Sequence, residues 1–280
     1  MEIRVTSEER RRGSLSQQHL IRATNALQVE GYIILADVID HDHLDSLRVR
    51  MDEDSHRLIA DERWGGAGHV AGHLQQAPPP FAPYVFEDIV ANPFAIGISR
   101  KVLGEGLYNR FYSGNANCPG SGTQPLHADG PPLWPNLQVP HPAASLIINV
   151  ALVDVIEQNG ATEIWPGSHL LPVRSALIDP EHEARRRHVV PPIRACTRKG
   201  SLLIRDPRLW HRGVPNHTKS VRHMIAMIHN IRWLQRPGPL LFNKGCEAAF
   251  PEGELDHNVI FSERPLSYLT SRYAVESEEK

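Results

Sequence analysis

The chain is short of cysteine, of aromatic residues and of net charge, and it has no long apolar run. Cys118, Cys196 and Cys246 are its three cysteines, odd in number and without a C-x-x-C pair. That excludes a disulfide framework and a cysteine-based zinc site, and it suits a reducing compartment. No stretch approaches the roughly 20 apolar residues needed to cross a bilayer, so no membrane association is expected. The first residues, MEIRVTSEERRRGSLSQQ, lack the apolar h-region of an export signal. Arg10, Arg11 and Arg12 with the nearby serines suit a transit peptide, but Glu2, Glu8 and Glu9 count against one, and a cytoplasmic location is expected. A formal charge of 30 minus 32, or −2, gives no field favouring nucleic acid or an anionic membrane. The densest basic run, Arg185-Arg186-Arg187-His188, reads as a solvated loop. Internal repeats and low-complexity linkers are missing too.

What is present is a chain of 280 residues, 41% hydrophobic, long enough to bury one substantial core. Residues 1 to 280 are therefore expected to form a single domain, with a helical part over about 15–105, a β core over about 107–235 and a C-terminal extension over 236–280. Apolar residues at helical period predict helices over 17–30, 41–60 and 87–103, the last interrupted or started at Pro93. A short strand, GYIILADV, separates the first two. Residues 62–86 are rich in Gly and Pro and predict an irregular loop of the length tied to lids or binding. From Leu107 onward short β-type runs take over: LYNRFYSG, SLIINVALVDV, TEIWP, HVVPPIRA, GSLLIRD and HMIAMIHNIRW. Helices first and short strands later imply a mainly β fold, an antiparallel double-sheet barrel of jelly-roll or cupin-like type with the N-terminal helices packed on one sheet. The near-continuous apolarity of SLIINVALVDV suits a central strand, and the polar tail AVESEEK is expected to fray.

Against this background stand His127 and Asp129 in QPLHADG, and His211 and Arg222 in LWHRGVPNHTKSVRH. In extended chain residues two apart share a face, so His127 and Asp129 can take adjacent corners of one metal. Pro125, Gly130, Pro131 and Pro132 exclude a helix there. A hairpin centred on Pro215 to Thr218 would set His211 opposite Arg222. With 16 histidines, H-x-D also arises by chance, as in His43-Leu44-Asp45. There Leu44, Leu47 and Met51 recur with helical period, which splays His43 from Asp45. Two imidazoles and one carboxylate have the composition of a facial iron triad that leaves coordination positions open, and Arg222 is a permanent bidentate partner for a dicarboxylate. His, His and Asp also suit zinc hydrolysis, a reading that leaves Arg222 and Gln124 without a task.

These motifs, with NGATEIWPGSHL and GSLLIRDPRLWHRGVPN, make the chain resemble the phytanoyl-CoA dioxygenase family of Fe(II)/2-oxoglutarate-dependent oxygenases, from about Gly31 to Trp233. The resemblance implies Fe(II) held by His127, Asp129 and His211, and 2-oxoglutarate held by Arg222 with help from Gln124 and Thr162. It also implies dioxygen as the second co-substrate, with succinate and carbon dioxide released. Related halogenases replace the carboxylate ligand by a small residue, so the retained Asp129 disfavours halogenation. Gly160, Pro166, Gly167, Ser168 and His169 match a family signature and read as turn and packing residues. Trp165 reads as core.

Three segments are expected over the metal, 62–86, 131–142 and 233–250, all proline-rich and apolar. They point to an apolar small-molecule substrate of secondary metabolism, with His73, Trp134 and Trp210 as candidate contacts. His69 and His73 could instead be spaced as helical i,i+4 ligands, although Gly72 weakens such a helix. An acyl-coenzyme A substrate would need a basic groove for its phosphates, and a catalytically silent ligand-binding protein on the same fold is the other alternative. The expected oligomer is a monomer or homodimer, with no nucleic-acid partner.

Overall fold

In the computed structural model, which describes residues 1–130, 133, 134, 136–172 and 175–269, the N-terminal part is helical where the apolar period requires it. Strand β1 (Glu2–Arg4) leads into α1 (Ser7–Arg12), whose start is closed by a capping box between Thr6 and Glu9. Helix α2 (Gln17–Val29) begins at the Ser16 cap and turns Ala23, Ala26 and Leu27 inward. Strand β2 (Tyr32–Ala36) is buried throughout, and α3 (His41–Ala60), capped by Asp40, buries Leu44, Leu47, Met51 and Leu58. The loop 62–86 contains β3 (His73–Gln75), with Gly68 and Gly72 at positive φ on its approach. His69 and His73 therefore never share a helix. The helix expected over 87–103 is two, α4 (Glu87–Val90) and α5 (Pro93–Leu103). Asn92 breaks them by capping α5 through the amides of Phe94 and Ala95, with Pro93 in the first turn.

The strands that follow are β4 (Tyr108–Asn117), β5 (Ser145–Ala151), β6 (Glu163–Ile164), then helix α6 (Pro180–Val189), then β7 (Ile193–Arg194), β8 (Leu202–Arg205), β9 (His211–Arg212) and β10 (Arg222–Asn230). Strands β11 (Leu240–Asn243) and β12 (Val259–Ser262) form a separate parallel pair. Seven strands make the larger sheet in the order β1-β2-β8-β5-β10-β4-β3, antiparallel except for β1 on β2. A smaller sheet, β7-β6-β9, is extended by bridges from His127 to His211 and to Leu177. These two facing sheets are the jelly-roll arrangement, with helices packed on the outer face of the larger one.

Alternation along β5, the central strand, divides core from site. Leu146, Ile148 and Val150 face the helices and pack with Ile204, Ile225, Met227 and the buried faces of α2, α3 and α5. Asn149 faces the other way, level with Leu203 of β8 and Ala226 of β10. Polar residues on the inner face of a buried strand mark the cavity between the sheets.

Two expectations fail here. The basic run 185–188 is not a loop: it ends α6, which has an Asp179 cap, Pro180 and Glu181 in its first turn, and Arg186, Arg187 and His188 in its last. The strand read from HVVPPIRA accordingly shrinks to Ile193–Arg194. The segment 233–250 does not cover the metal, because Leu240, Phe242, Cys246 and Ala249 join the helix-side core, with the Phe242 ring 5.0 Å from Tyr112. The expected frayed tail 274–280, and residues 131, 132 and 135 of the loop 131–142, lie outside the described residues. Among the described residues no helix is long and apolar enough to cross a membrane.

Acid sensitivity follows from this packing. His229 of β10 is 2% exposed, 2.8 Å from Ser99 Oγ of α5, and burial, aided by His257, pushes its pKa down to about 3. The unfolded chain titrates near the ordinary value of 6.5, so below that pH the unfolded state binds a proton the folded state refuses. Stability is therefore expected to fall between pH 6.5 and about 3, by about 2 kcal/mol at pH 5 from this residue alone. Urea unfolding across this range should show the slope, and His229→Gln should flatten it.

Candidate metal centre

The centre begins with a backbone pair. The amide of His127 donates to His211 O at 3.0 Å and the amide of His211 donates to His127 O at 2.8 Å, a closed antiparallel pair that puts both imidazoles on one side. Asp129, two residues on, turns the same way while its amide donates to Pro207 O at 2.9 Å. His127 Nε2 lies 3.8 Å from Asp129 Oδ1, and His211 Nε2 lies 3.3 Å from Asp129 Oδ2. One ligand atom from each of the three falls within 4.8 Å of the others, and among the described residues this is the one cluster of three or more such groups. His43 and Asp45 are parted on α3, where they pair with Asp88 and Lys199.

The donor set fits a metal. His127 Nδ1 donates to Pro125 O at 2.9 Å and His211 Nδ1 donates to Leu209 O at 3.0 Å, which fixes both tautomers with bare Nε2 atoms toward Asp129. Burial, with His211 alongside, pushes the His127 pKa down to about 4, so its ring is neutral near pH 7. Burial alone would raise Asp129, but the surrounding His211, Arg205 and His127 hold its carboxyl well below the usual carboxylate range.

Arg222 enters from the other sheet. His211 lies on β9 of the smaller sheet and Arg222 on β10 of the larger one, so they are not hairpin partners as expected; residues 213–221 cross between the sheets. The two side chains reach one cavity by facing across it, and both line it. Arg222 is 3% exposed and donates from one terminal nitrogen to Gly160 O at 3.1 Å, while its Nε and Nη1 have no partner. Burial and the neighbouring Arg194 lower its pKa to about 10, still leaving it charged. A structural ion pair for Arg222 is ruled out among the described residues. A buried cation with idle donors is costly unless an anion completes it.

Gln124 and Thr162 line the same cavity, and Gln124 Oε1 accepts from the Gly213 amide at 2.9 Å. His73 lines it as well, 2.8 Å through Nε2 from Gly122 O, and burial lowers its pKa. A Cβ on Gly213 would stand 2.5 Å from His73 Cε1 and 2.7 Å from Gln124 Oε1, so both cavity side chains would have to shift to admit it. Trp210 and Trp134 do not line the cavity. Trp210 neighbours His211 in a strand and so points to the opposite face, 1% exposed beside Trp165, Leu126, Ala128 and Ile178. Trp134 stands 49% exposed against His141.

The crossing is held by Asn216, which is fully buried. Its Nδ2 donates to Asn117 O and Ser220 O, each at 2.8 Å, and its Oδ1 accepts from the Thr218 amide at 2.9 Å and hydroxyl at 2.7 Å. Asn216→Ala is expected to cost about 2–4 kcal/mol by stranding these groups, read as a shift in denaturant midpoint. Ser168 acts similarly, accepting from the Trp210 amide at 2.8 Å and so fixing the residue beside His211. Gly167 donates to Glu30 O, consistent with the turn and packing roles of this signature.

The sequence reading passed over Arg205. It ends β8, lines the cavity and reaches Asp129 Oδ2 at 2.5 Å and Asn149 Oδ1 at 3.1 Å. Its signal was a cation closing the apolar run GSLLIRD on a buried strand.

Comparison with known proteins bears on the same region. The profile of the phytanoyl-CoA dioxygenase (PhyH) family matches residues 27–224. The dioxygenase trt7 of Aspergillus terreus (strain NIH 2624 / FGSC A1156) is 26% identical over 223 residues, which are 74% of this chain and 71% of that protein. Two solved structures share the fold, the non-heme alpha-ketoglutarate-dependent epimerase SnoN (TM-score 0.56, 20% identity) and carbocyclase SnoK (TM-score 0.55, 21% identity), both from nogalamycin biosynthesis. Each comparison covers 77% of this chain and 84% of the other. With the family profile spanning most of its length, the chain belongs to the phytanoyl-CoA dioxygenase family and is an oxygenase that uses Fe(II), 2-oxoglutarate and dioxygen.

Proposed function

We propose that His127, Asp129 and His211 hold the iron, that Arg222 with Gln124 and Thr162 holds 2-oxoglutarate, and that the enzyme oxidises a carbon of a secondary-metabolite type of small molecule. The observation that carries this is the buried, incompletely bonded Arg222 facing a cavity shared with the three ligands. The 2-oxoglutarate distal carboxylate would satisfy the idle guanidinium donors. Bound iron and co-substrate supply an oxidant able to take hydrogen from an unactivated C–H bond, with release of succinate and carbon dioxide. His127 and His211 would present their Nε2 atoms to the metal, Asp129 would supply one negative charge, and the carbonyls of Pro125 and Leu209 keep both rings oriented through Nδ1.

Hydroxylation is the first expectation, with desaturation, epoxidation and cyclisation as alternatives on the same site. The metabolite class is supported by the names of relatives: SnoN and SnoK act in nogalamycin biosynthesis. An acyl-coenzyme A substrate is disfavoured, because two arginines of the basic run are committed elsewhere. Arg186 bonds Pro166 O, and Arg187 pairs with Glu183 and lies over the Trp165 ring. The segment 62–86 supplies Gly65, Gly66, Ala67, Leu74 and Gln75 to the cavity wall and is the stretch expected to meet substrate. The test is succinate formation by purified protein with Fe(II), ascorbate and 2-oxoglutarate, with and without oxygen, across a panel of metabolites. Oxygen-dependent succinate stimulated by a panel member is the expected result. No succinate from iron-loaded protein under any condition would leave a silent binding protein as the better reading.

A further inference from the structure

Arg205 has more hydrogen-bonding capacity than its neighbours use. It is 6% exposed, its Nε donates to Asn149 Oδ1, and one terminal nitrogen donates to Asp129 Oδ2. Its other terminal nitrogen, Nη1, is buried with no partner. A residue needed only to steer Asp129 would be served by one nitrogen. Burying a whole guanidinium with an idle face is costly without an anion to complete it.

Position separates Arg205 from Arg222. Arg205 pairs with Ile147 of β5 and Met224 pairs with Ala151, so Arg222, two residues earlier on an antiparallel strand, stands level with position 153. The stretch from 147 to 153 puts the two arginine backbones about 20 Å apart along the sheet, at roughly 3.4 Å per residue. One guanidinium therefore reaches the cavity from the end level with Ile147, beside Asp129, and the other from the end level with position 153. Asp129, Arg205 and Arg222 are the three fixed charges among the lining residues. Iron with Asp129 and dianionic 2-oxoglutarate would sum to minus one, and the two arginines would bring the loaded cavity to plus one. One further negative charge balances the site.

We propose that Arg205, with Asn149 beside it, is the anion-binding subsite for the substrate, which carries a carboxylate or similarly acidic oxygen on its small-molecule skeleton. The inference rests on the iron and 2-oxoglutarate reading above and amends the wholly apolar substrate expected from loop composition.

The test uses protein loaded anaerobically with Fe(II) and saturating 2-oxoglutarate, followed by calorimetric titration with cyclohexanecarboxylate and 2-naphthoate, each against its carboxamide. The acids are expected to bind at least about tenfold more tightly than the amides, the difference made by a charge-assisted pair. Arg205→Gln should erase the preference and Arg205→Lys should keep part of it. Equal or absent binding of acid and amide to the loaded wild type would overturn the proposal. So would a preference that survives in Arg205→Gln, or acids that bind only by displacing 2-oxoglutarate. Failure of 2-oxoglutarate itself to bind the Fe(II) protein, seen before any probe is added, would remove the parent reading and this inference together. Normal co-substrate binding without acid preference would remove this inference alone.

Discussion

Alanine at His127, Asp129 or His211 is expected to abolish oxygen-dependent succinate formation, and the three variants should differ in stability. Each removes one of the three proposed ligands, and two remaining donors would not fix the open face on which co-substrate and oxygen must meet. His211→Ala leaves no buried charge alone, because Asp129 keeps its pair with Arg205 and the His211 Nδ1 bond is to a carbonyl. Its unfolding midpoint without metal should stay near that of the wild type. Asp129→Ala strands the Arg205 guanidinium, which is 8% exposed as a side chain, and should cost about 1–3 kcal/mol. Asp129→Asn keeps an acceptor for Arg205 and should recover much of that stability without recovering turnover. Circular dichroism melts alongside the succinate assay separate the two effects, and measurable turnover in either histidine variant would remove that residue from the ligand set.

Replacing Arg222 by methionine should have opposite effects on binding and on folding. The guanidinium is buried with two nitrogens idle, so the fold carries its desolvation cost while its partner is absent. Methionine removes that cost and fills similar space, and the protein without 2-oxoglutarate is expected to be at least as stable as wild type, by up to about 2 kcal/mol. Affinity for 2-oxoglutarate should fall by about two orders of magnitude, the loss of a charge-assisted pair in a buried site. In steady state this appears mainly as a higher 2-oxoglutarate requirement, with less change at saturation, as expected for an interaction equally present before and during reaction. Thermal melts with and without 2-oxoglutarate give both signs in one experiment. Stabilisation by 2-oxoglutarate should be large in wild type and nearly absent in the variant. A variant that is less stable alone and binds 2-oxoglutarate normally would mean that Arg222 is structural.

Much of the site was legible because its signals are local. His127 and Asp129 stand two residues apart in a segment where proline forbids a helix, and their shared face follows from alternation alone. The same alternation, applied one residue from His211, would have placed Trp210 in the core. What the sequence hid is set by partners distant along the chain. The His211 to Arg222 stretch has the length and turn residues of a hairpin, yet Gly213 and Asn216 carry it between sheets, and only the positions of Asn117 and Gln124 make that crossing necessary. Strands β6, β7 and β9 are two residues each, too short to show any period. Helix α6 did carry a start signal in Asp179 and Pro180, but the valines and prolines after it resembled a strand. Arg205 carried only the signal of a cation closing a buried strand, because its role depends on Asp129, 76 positions earlier.

The most direct test of the account is an anomalous-diffraction map from a crystal grown anaerobically with Fe(II) and 2-oxoglutarate. The account predicts one iron peak bound by His127 Nε2, His211 Nε2 and an Asp129 oxygen, with the distal carboxylate of 2-oxoglutarate on Arg222 and Nη1 of Arg205 free to donate to a second anion. Iron bound elsewhere, or 2-oxoglutarate bound with Arg222 still unpartnered, would contradict it.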